Sequence, residues 1–336
     1  MDKKIAVVIL NWNGKSFLEK FLPSVISYSS AIAKIIVADN HSTDDSVSYL
    51  QTNFPTVKII SLDKNYGFAG GYNKALKQVE AEYYVLLNSD VEVTNNWLVP
   101  LLELLENDNS VVACQPKIKD YNNKNYFEYA GAAGGFIDKL GYPLCRGRLF
   151  DKIEKDTGQY DDFTEIFWAS GASLFIRAKA YHEIGGLDEF FFAHMEEIDL
   201  CWRLKNTGYK IMFCPISTVY HVGGGTLNKT KPQKTFLNFR NSLLTLHKNL
   251  PQKNRFKVIF LRLLLDGLAG IKFLLSGKPN HTWAIIRAHF SFYNSLQQNK
   301  KKRNEVQHPN LTGMLNKSIV VAYYFKNCYN FNTFIK

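Results

Sequence analysis

Tyr83-Tyr84-Val85-Leu86-Leu87-Asn88-Ser89-Asp90 is the stretch on which the fold turns. Its apolar run, with β-branched and aromatic members, predicts a strand buried on both faces. A carboxylate is costly to bury without a partner, so Asp90 belongs where the strand emerges, at its carboxyl end. In open α/β sheets that edge is where ligands bind. Asp90 therefore either caps the next element or holds a divalent cation.

Upstream of this strand the pattern alternates. Ile5–Leu10 reads as a strand and Ser16–Tyr28 as an amphipathic helix. Lys34–Ala38 is the next strand, ending at Asp39-Asn40, and Ser42-Thr43-Asp44-Asp45 opens a helix. Val57–Leu62 is a third strand, and the Asn65–Asn73 loop leads into another helix. This βαβαβαβ order predicts an α/β fold with a parallel sheet and right-handed crossovers. Asn11, Asp39, Asn65 and Asp90 would meet along one carboxyl edge, suited to a nucleotide. Gly67 and its glycine neighbours let backbone approach a ligand closely, although Asn-x-Gly is also ordinary turn chemistry. No GxGxxG follows the first strand, which leaves a dinucleotide fold little support.

Downstream, Trp97–Leu105 predicts a helix and Val111–Cys114 a strand. Residues 119–165 are polar and rich in Tyr, Gly and Asp, and are expected to form a loop or hairpin over the site. Phe167–Arg177 reads as a strand broken by Ser170-Gly171-Ala172, where small residues admit a ligand or another segment. Glu196, Glu197 and Asp199 crowd the start of a helix, which the macrodipole favours. Like charges so close raise at least one pKa, and such a carboxylate can serve as a general base. A plain acidic first turn is the simpler reading. His221 precedes a triple glycine and suits a divalent site completed by a carboxylate, though lone histidines are more often structural.

The five cysteines show no CxxC spacing, which predicts reduced thiols and a cytosolic setting. Lys3-Lys4 precede only a short apolar run, too little for a secretory leader. The net charge of +11 is uneven: residues 227–336 hold 19 Lys/Arg against two acids. A basic region on a mildly acidic body points to nucleic acid or an anionic membrane.

The ordered set of motifs resembles the family-2 glycosyltransferases of the GT-A fold, particularly their rhamnosyltransferase-like bacterial branch. The pieces are Val8–Gly14, Val37–Asp44, Asn65–Asn73, Leu87–Asp90, Gly185–Phe191 and Glu196–Arg203. The resemblance implies a nucleotide-diphosphate sugar donor, inversion at the anomeric carbon, and a divalent cation, Mg2+ or Mn2+. It places Asp39 on the base or ribose, with Asn11, Asn65, Gly67, Asn73 and Ser89 lining the donor pocket. Asp90 matches the last position of a DxD motif whose first Asp is here Asn88, and His221 matches a second metal ligand. Glu197 would be the base, with Glu196 the less favoured candidate. Ser170, Gly171, Ala172 and Asp199 would border the acceptor, a glycan or lipid-linked hydroxyl. A rhamnose donor follows from the branch alone. A non-catalytic nucleotide-sugar-binding scaffold is the alternative, prompted by Asn88; a nucleotidyltransferase lacks a basic phosphate loop after the first strand.

The division expected is a GT-A catalytic domain over 1–230 and a basic helical region over 231–336. Phe239-Arg240-Asn241 resembles a segment that closes over the site, with Arg240 facing the diphosphate. Phe256–Leu275 is apolar but interrupted by Lys257, Arg262, Asp266 and Lys272, too broken to span a bilayer. It predicts a basic amphipathic helix on an anionic membrane surface, hence a peripheral, cytoplasmic protein on the inner face of the cell membrane. Packing on the catalytic domain, or on a second copy as a homodimer, is the alternative. No recognition motif accompanies the charge, so nucleic acid is not expected.

Overall fold

The computed structural model describes residues 3–223, 231–303 and 311–336. Its first part follows the alternation: β1 (Ile5–Asn11), α1 (Lys15–Ser29), β2 (Ala33–Asp39), α2 (Ser46–Asn53), β3 (Lys58–Ser61), α3 (Gly67–Leu76) and β4 (Tyr83–Asn88). Strands β3, β2, β1 and β4 lie side by side and parallel, with Asn11 opposite Asp39 and Leu10 opposite Asn88. Alternate residues feed two cores. Ile5, Val7 and Ile9 pack with Leu18, Leu22 and Val25 of α1, whereas Ala6 and Val8 pack with Ala69, Tyr72 and Leu76 of α3. A strand that must be apolar on both faces reads as an unbroken hydrophobic run.

Beyond β4 the sheet becomes mixed. After β5 (Val91–Val93), α4 (Val99–Asn107) and β6 (Val111–Asp120) come four short strands. These are β7 (Gly135–Asp138), β8 (Pro143–Cys145), β9 (Arg148–Leu149) and β10 (Lys152–Ile153). Next are β11 (Thr164–Ile166), β12 (Ser173–Arg177), α5 (Ala178–Glu183), α6 (Glu196–Asn206) and β13 (Lys210–His221). Strand β12 runs antiparallel between β4 and β6, and β13 lies parallel to β6 and antiparallel to β5. Phe167–Ala172 is not strand, since only Ser173–Arg177 joins the ladder. The loop or hairpin expected over 119–165 is instead a second sheet built from β7 to β10.

The chain closes with α7 (Pro232–Asn249), α8 (Gln252–Leu275), α9 (Pro279–Asn294), α10 (Leu296–Lys301), β14 (Met314–Leu315), α11 (Ile319–Phe325) and α12 (Phe331–Ile335). This part is not a detached appendage. Leu243, Leu244 and Leu246 of α7 share the larger core, as do Phe292, Tyr323, Phe331 and Phe334. Strand β14 completes the second sheet beside β7. All five cysteines are buried and free.

Candidate active site

The carboxyl ends of β1 and β2 are joined by side chains. The Asn11 amide donates to Asp39 Oδ1 (3.1 Å) and to Ser42 Oγ (3.2 Å), and Ser42 N donates to Asp39 Oδ2 (3.0 Å). Asn11 and Asp39 are buried, and Asn11 Oδ1 has no partner. Asn40, which sequence reading did not single out, donates to Asn65 Oδ1 (3.1 Å) and to the Gly67 carbonyl (3.0 Å). Its own Oδ1 accepts from Tyr66 N (3.0 Å), so β2 fixes the start of α3, which takes in Gly67–Asn73 where a loop was expected. Gly67 has φ +69°, and a Cβ there would lie 2.6 Å from Phe192. Only glycine lets the start of α3 come this close in that conformation.

Register brings the metal candidates together. Strand β13 sets His221 opposite Val91, and Val222 N donates to the Asp90 carbonyl (3.1 Å). His221 Nε2 lies 3.1 Å from Asp90 Oδ1 and 3.4 Å from the Asn88 amide nitrogen. On the other side of the ring, Nδ1 is 3.3 Å from Glu128 Oε2. Burial opposes charge on His221, but Glu128 and Asp90 outweigh it and push the imidazole up to about 10. Burial would likewise raise both carboxyls, and the imidazolium holds them below their ordinary range. Glu128 was missed because a single Glu in a polar, Tyr- and Gly-rich segment carries no signal.

Among the described residues no group of three His, Cys, Asp or Glu side chains is arranged to hold a metal alone. A divalent cation that displaced the Nε2 proton of His221 would meet the Asp90 carboxylate and an imidazole nitrogen, with water and phosphate oxygens left to complete its shell.

The acidic helix start, at the head of α6, follows a turn tied to the start of α3. Phe68 N donates to the Phe192 carbonyl (2.7 Å), which makes this tie. That turn contains Phe192, His194 and Met195 at positive φ. Asn241 of α7 holds it, donating to the carbonyls of Phe191 (3.1 Å), Ala193 (3.0 Å) and His194 (2.7 Å). Glu196 is buried and Glu197 partly exposed, and Oε2 of each lacks a partner. Burial raises both; Glu196, beside the Glu197 charge, is pushed well above the ordinary range, and Glu197 to about 7. Of the two, Glu197 is the one able to exchange a proton near neutrality.

A chain of contacts connects the halves. Asn88 N donates to the Ala172 carbonyl (3.1 Å), and a Cβ on Gly171 would meet the Phe68 ring at 2.9 Å. A Cβ on Gly14 would lie 3.4 Å from Ser89 Oγ, so Ser89 faces the turn after β1.

Four expected contacts are placed differently. Asp199 is fully buried, paired with Arg203 (2.8 Å) and Lys248 (2.8 Å), and cannot reach an acceptor. Asn73 locks the Gly185–Asp188 turn: it donates to Leu187 O (2.8 Å) and accepts from Leu187 N (3.0 Å) and Tyr181 Oη (2.6 Å). Ser170 Oγ donates to the Ala130 carbonyl (2.5 Å) and is buried. Arg240 donates to the Phe190 (3.0 Å) and Phe191 (3.2 Å) carbonyls, so it braces the turn before α6. The same donor chemistry that suits a ligand suits a buried turn.

Residues 6–185 match the model of glycosyl transferase family 2. The chain belongs to that family. The family-2 glycosyltransferase is similar to the N-acetylglucosaminyl-diphospho-decaprenol L-rhamnosyltransferase of Mycobacterium tuberculosis, at 24% identity over 66% of this chain and 76% of that protein. Among solved structures it resembles S. aureus TarS 1–349 in complex with UDP-GlcNAc (TM-score 0.58, 14% identity, 89% of this chain and 84% of that one). It also resembles the mannosyltransferase PcManGT from Pyrobaculum calidifontis in complex with GDP-Man and Mn2+ (TM-score 0.52, 13% identity, 89% and 88%). These likenesses establish the GT-A fold for the family-2 chain.

Proposed function

We propose that the protein is an inverting glycosyltransferase that moves a sugar from a nucleotide-diphosphate donor to a hydroxyl of a glycan or lipid-linked acceptor, in cell-surface polysaccharide synthesis. The observation that carries this reading is Glu197: a partly exposed carboxyl with an unpartnered oxygen, its pKa raised by burial, on a helix whose preceding turn is hydrogen-bonded to the start of α3. Asp39 and Asn11 hold the nucleoside. Glu197 accepts the proton of the acceptor hydroxyl as that oxygen bonds to the anomeric carbon, on the face opposite the departing diphosphate. Asp90 and His221 hold the divalent cation, which when bound offsets charge on the leaving group. Rhamnosyl transfer is the first donor to try, on the likeness to a rhamnosyltransferase.

Asp90→Ala is expected to abolish turnover dependent on Mg2+ or Mn2+, read as nucleotide diphosphate released from a panel of nucleotide sugars. Unchanged, cation-independent turnover would refute the metal assignment. Donor binding without turnover by the unaltered protein, across a broad acceptor panel, would favour a nucleotide-sugar-binding scaffold.

Residues 231–336 would supply attachment to the inner face of the cell membrane. Among the described residues no helix is long and apolar enough to cross a bilayer. Helix α8 instead exposes Phe256, Phe260, Leu264, Leu268, Ile271 and Leu275, a stripe at helical spacing, and α9 exposes Trp283, Ile286, Phe290 and Tyr293. Lys253, Lys257, Lys272 and Arg287 are exposed on the same helices and Lys278 just before α9, while the helices' one acid, Asp266, is buried. An apolar stripe with basic flanks matches an anionic lipid surface. The chain should co-sediment with phosphatidylglycerol vesicles and less well in high salt. Changing both Leu264 and Leu268 to Ser should weaken binding by at least roughly tenfold, since a buried leucine contributes about 1.5–3 kcal/mol. A concentration-dependent dimer with no vesicle binding would mean that a second copy covers the stripe instead.

A further inference from the structure

We infer that Glu128 is a positioning residue for the metal site, setting which nitrogen of His221 faces the cation. The inference rests on the reading of Asp90 and His221 as metal ligands and adds a residue that neither the family motifs nor the chain order marks.

The geometry is that of a histidine held from behind. Nε2 points to Asp90 at 3.1 Å, while Nδ1, buried and not otherwise satisfied by a hydrogen bond of good geometry, has Glu128 Oε2 at ion-pair distance, 3.3 Å. A carboxylate behind the ring accepts the Nδ1 proton, leaving the Nε2 lone pair for the cation and fixing the ring plane. Glu128 is itself held firmly. It is buried, its N donates to the Ile118 carbonyl (3.1 Å), and its Oε2 accepts from Ala130 N. Ser170 clamps the same turn through the Ala130 carbonyl. The space around the carboxylate is also reserved: Gly223 has φ +73°, and a Cβ there would lie 2.7 Å from Glu128 Oε1. The Ser170 hydroxyl thus reaches the metal site indirectly, through the turn that carries Glu128.

The test is Mn2+ titrated into the full chain without donor or acceptor, read by the electron paramagnetic resonance of free Mn2+. Glu128→Ala should weaken Mn2+ binding by about 10–100-fold, the usual effect of removing such a partner. Glu128→Gln should recover most of that loss, because its carboxamide oxygen can accept the same proton. Nitrogen-15 spectra of the Mg2+-loaded protein should show His221 protonated at Nδ1, and a tautomer mixture in Glu128→Ala. Thermal melting checks that each variant folds; if the Ala variant does not, the Gln variant and the tautomer of the unaltered protein decide. Mn2+ affinity unchanged in Glu128→Ala, or His221 protonated at Nε2 in the loaded protein, would overturn the inference. Asp90→Ala in the same titration separates the two failures. If it too leaves affinity unchanged, the metal reading itself is wrong; if only Glu128→Ala does, that reading stands without Glu128.

Discussion

Glu197→Gln should lower kcat by about 10²–10⁴-fold, the usual range for losing a positioned general base. The substitution keeps the shape of the side chain and removes its ability to take a proton, so KM for the donor should change little. Glu196→Gln should cost far less, because Glu196 is buried, and burial and the neighbouring Glu197 charge both oppose its ionisation. The pH dependence follows from the same geometry. A base must be ionised to act, and Glu197 ionises at about 7. In the unaltered protein kcat/KM should therefore rise about tenfold per pH unit below that value and level off above it. Initial rates of nucleotide diphosphate release between about pH 5 and 9 measure both effects. A Gln variant with full activity would place the base elsewhere.

Lys248→Met should destabilise the fold by about 3 kcal/mol, the low end for breaking a buried ion pair. Lys248 is buried, with Nζ 2.7 Å from Asp188 and 2.8 Å from Asp199, and so fastens α7 to α6 and to the turn after α5. Lys302 and Arg203 remain to partner the two carboxylates, which keeps the loss from being larger. With about 2.1 cal/mol/K of unfolding entropy per residue, in a chain of 336 residues it corresponds to a fall in Tm of roughly 4 °C. Burial alone would raise the Asp188 pKa, but Lys248 and then Lys302 bring it down to about 2. A carboxyl depressed in the folded state adds stability above its ordinary value of 3.8 and loses it as pH falls towards 2. The Met variant should lose part of that term, so its deficit in urea denaturation should be smaller at about pH 2 than at pH 7.

In the half of the sheet made by β1 to β4, the strands β1, β2 and β4 were legible because they are largely buried on both faces and so spell near-continuous apolar runs, while β3, at the sheet edge, keeps only Ile59-Ile60. The GT-A fold and the pairing of Asp90 with His221 followed from motif order, which long β13 then turned into contact. The second sheet was illegible: strands of two to four residues show too little alternation to stand out from turns. Asn73, Asp199 and Arg240 were misplaced for a different reason. Amides and charges that could meet a nucleotide sugar serve equally well to satisfy buried carbonyls, and only tertiary structure tells which they do. Glu128 had no sequence neighbour to give it away; its meaning comes from a residue 93 positions later.

The second sheet has one further consequence. Its β7 edge is covered by β14, and Phe331 of α12 packs on Phe136 and Tyr160 while its backbone N–H donates to Glu154 (3.1 Å). The ribosome delivers β7 to β10 long before these partners. During synthesis the parallel half, whose contacts are local, can close early, whereas the sheet that follows the Glu128 turn stays open at one edge until residues 311–336 have emerged. The sheet beside the Glu128 turn is therefore the last to be framed, after the parallel half that carries Asn11 and Asp39 has already closed.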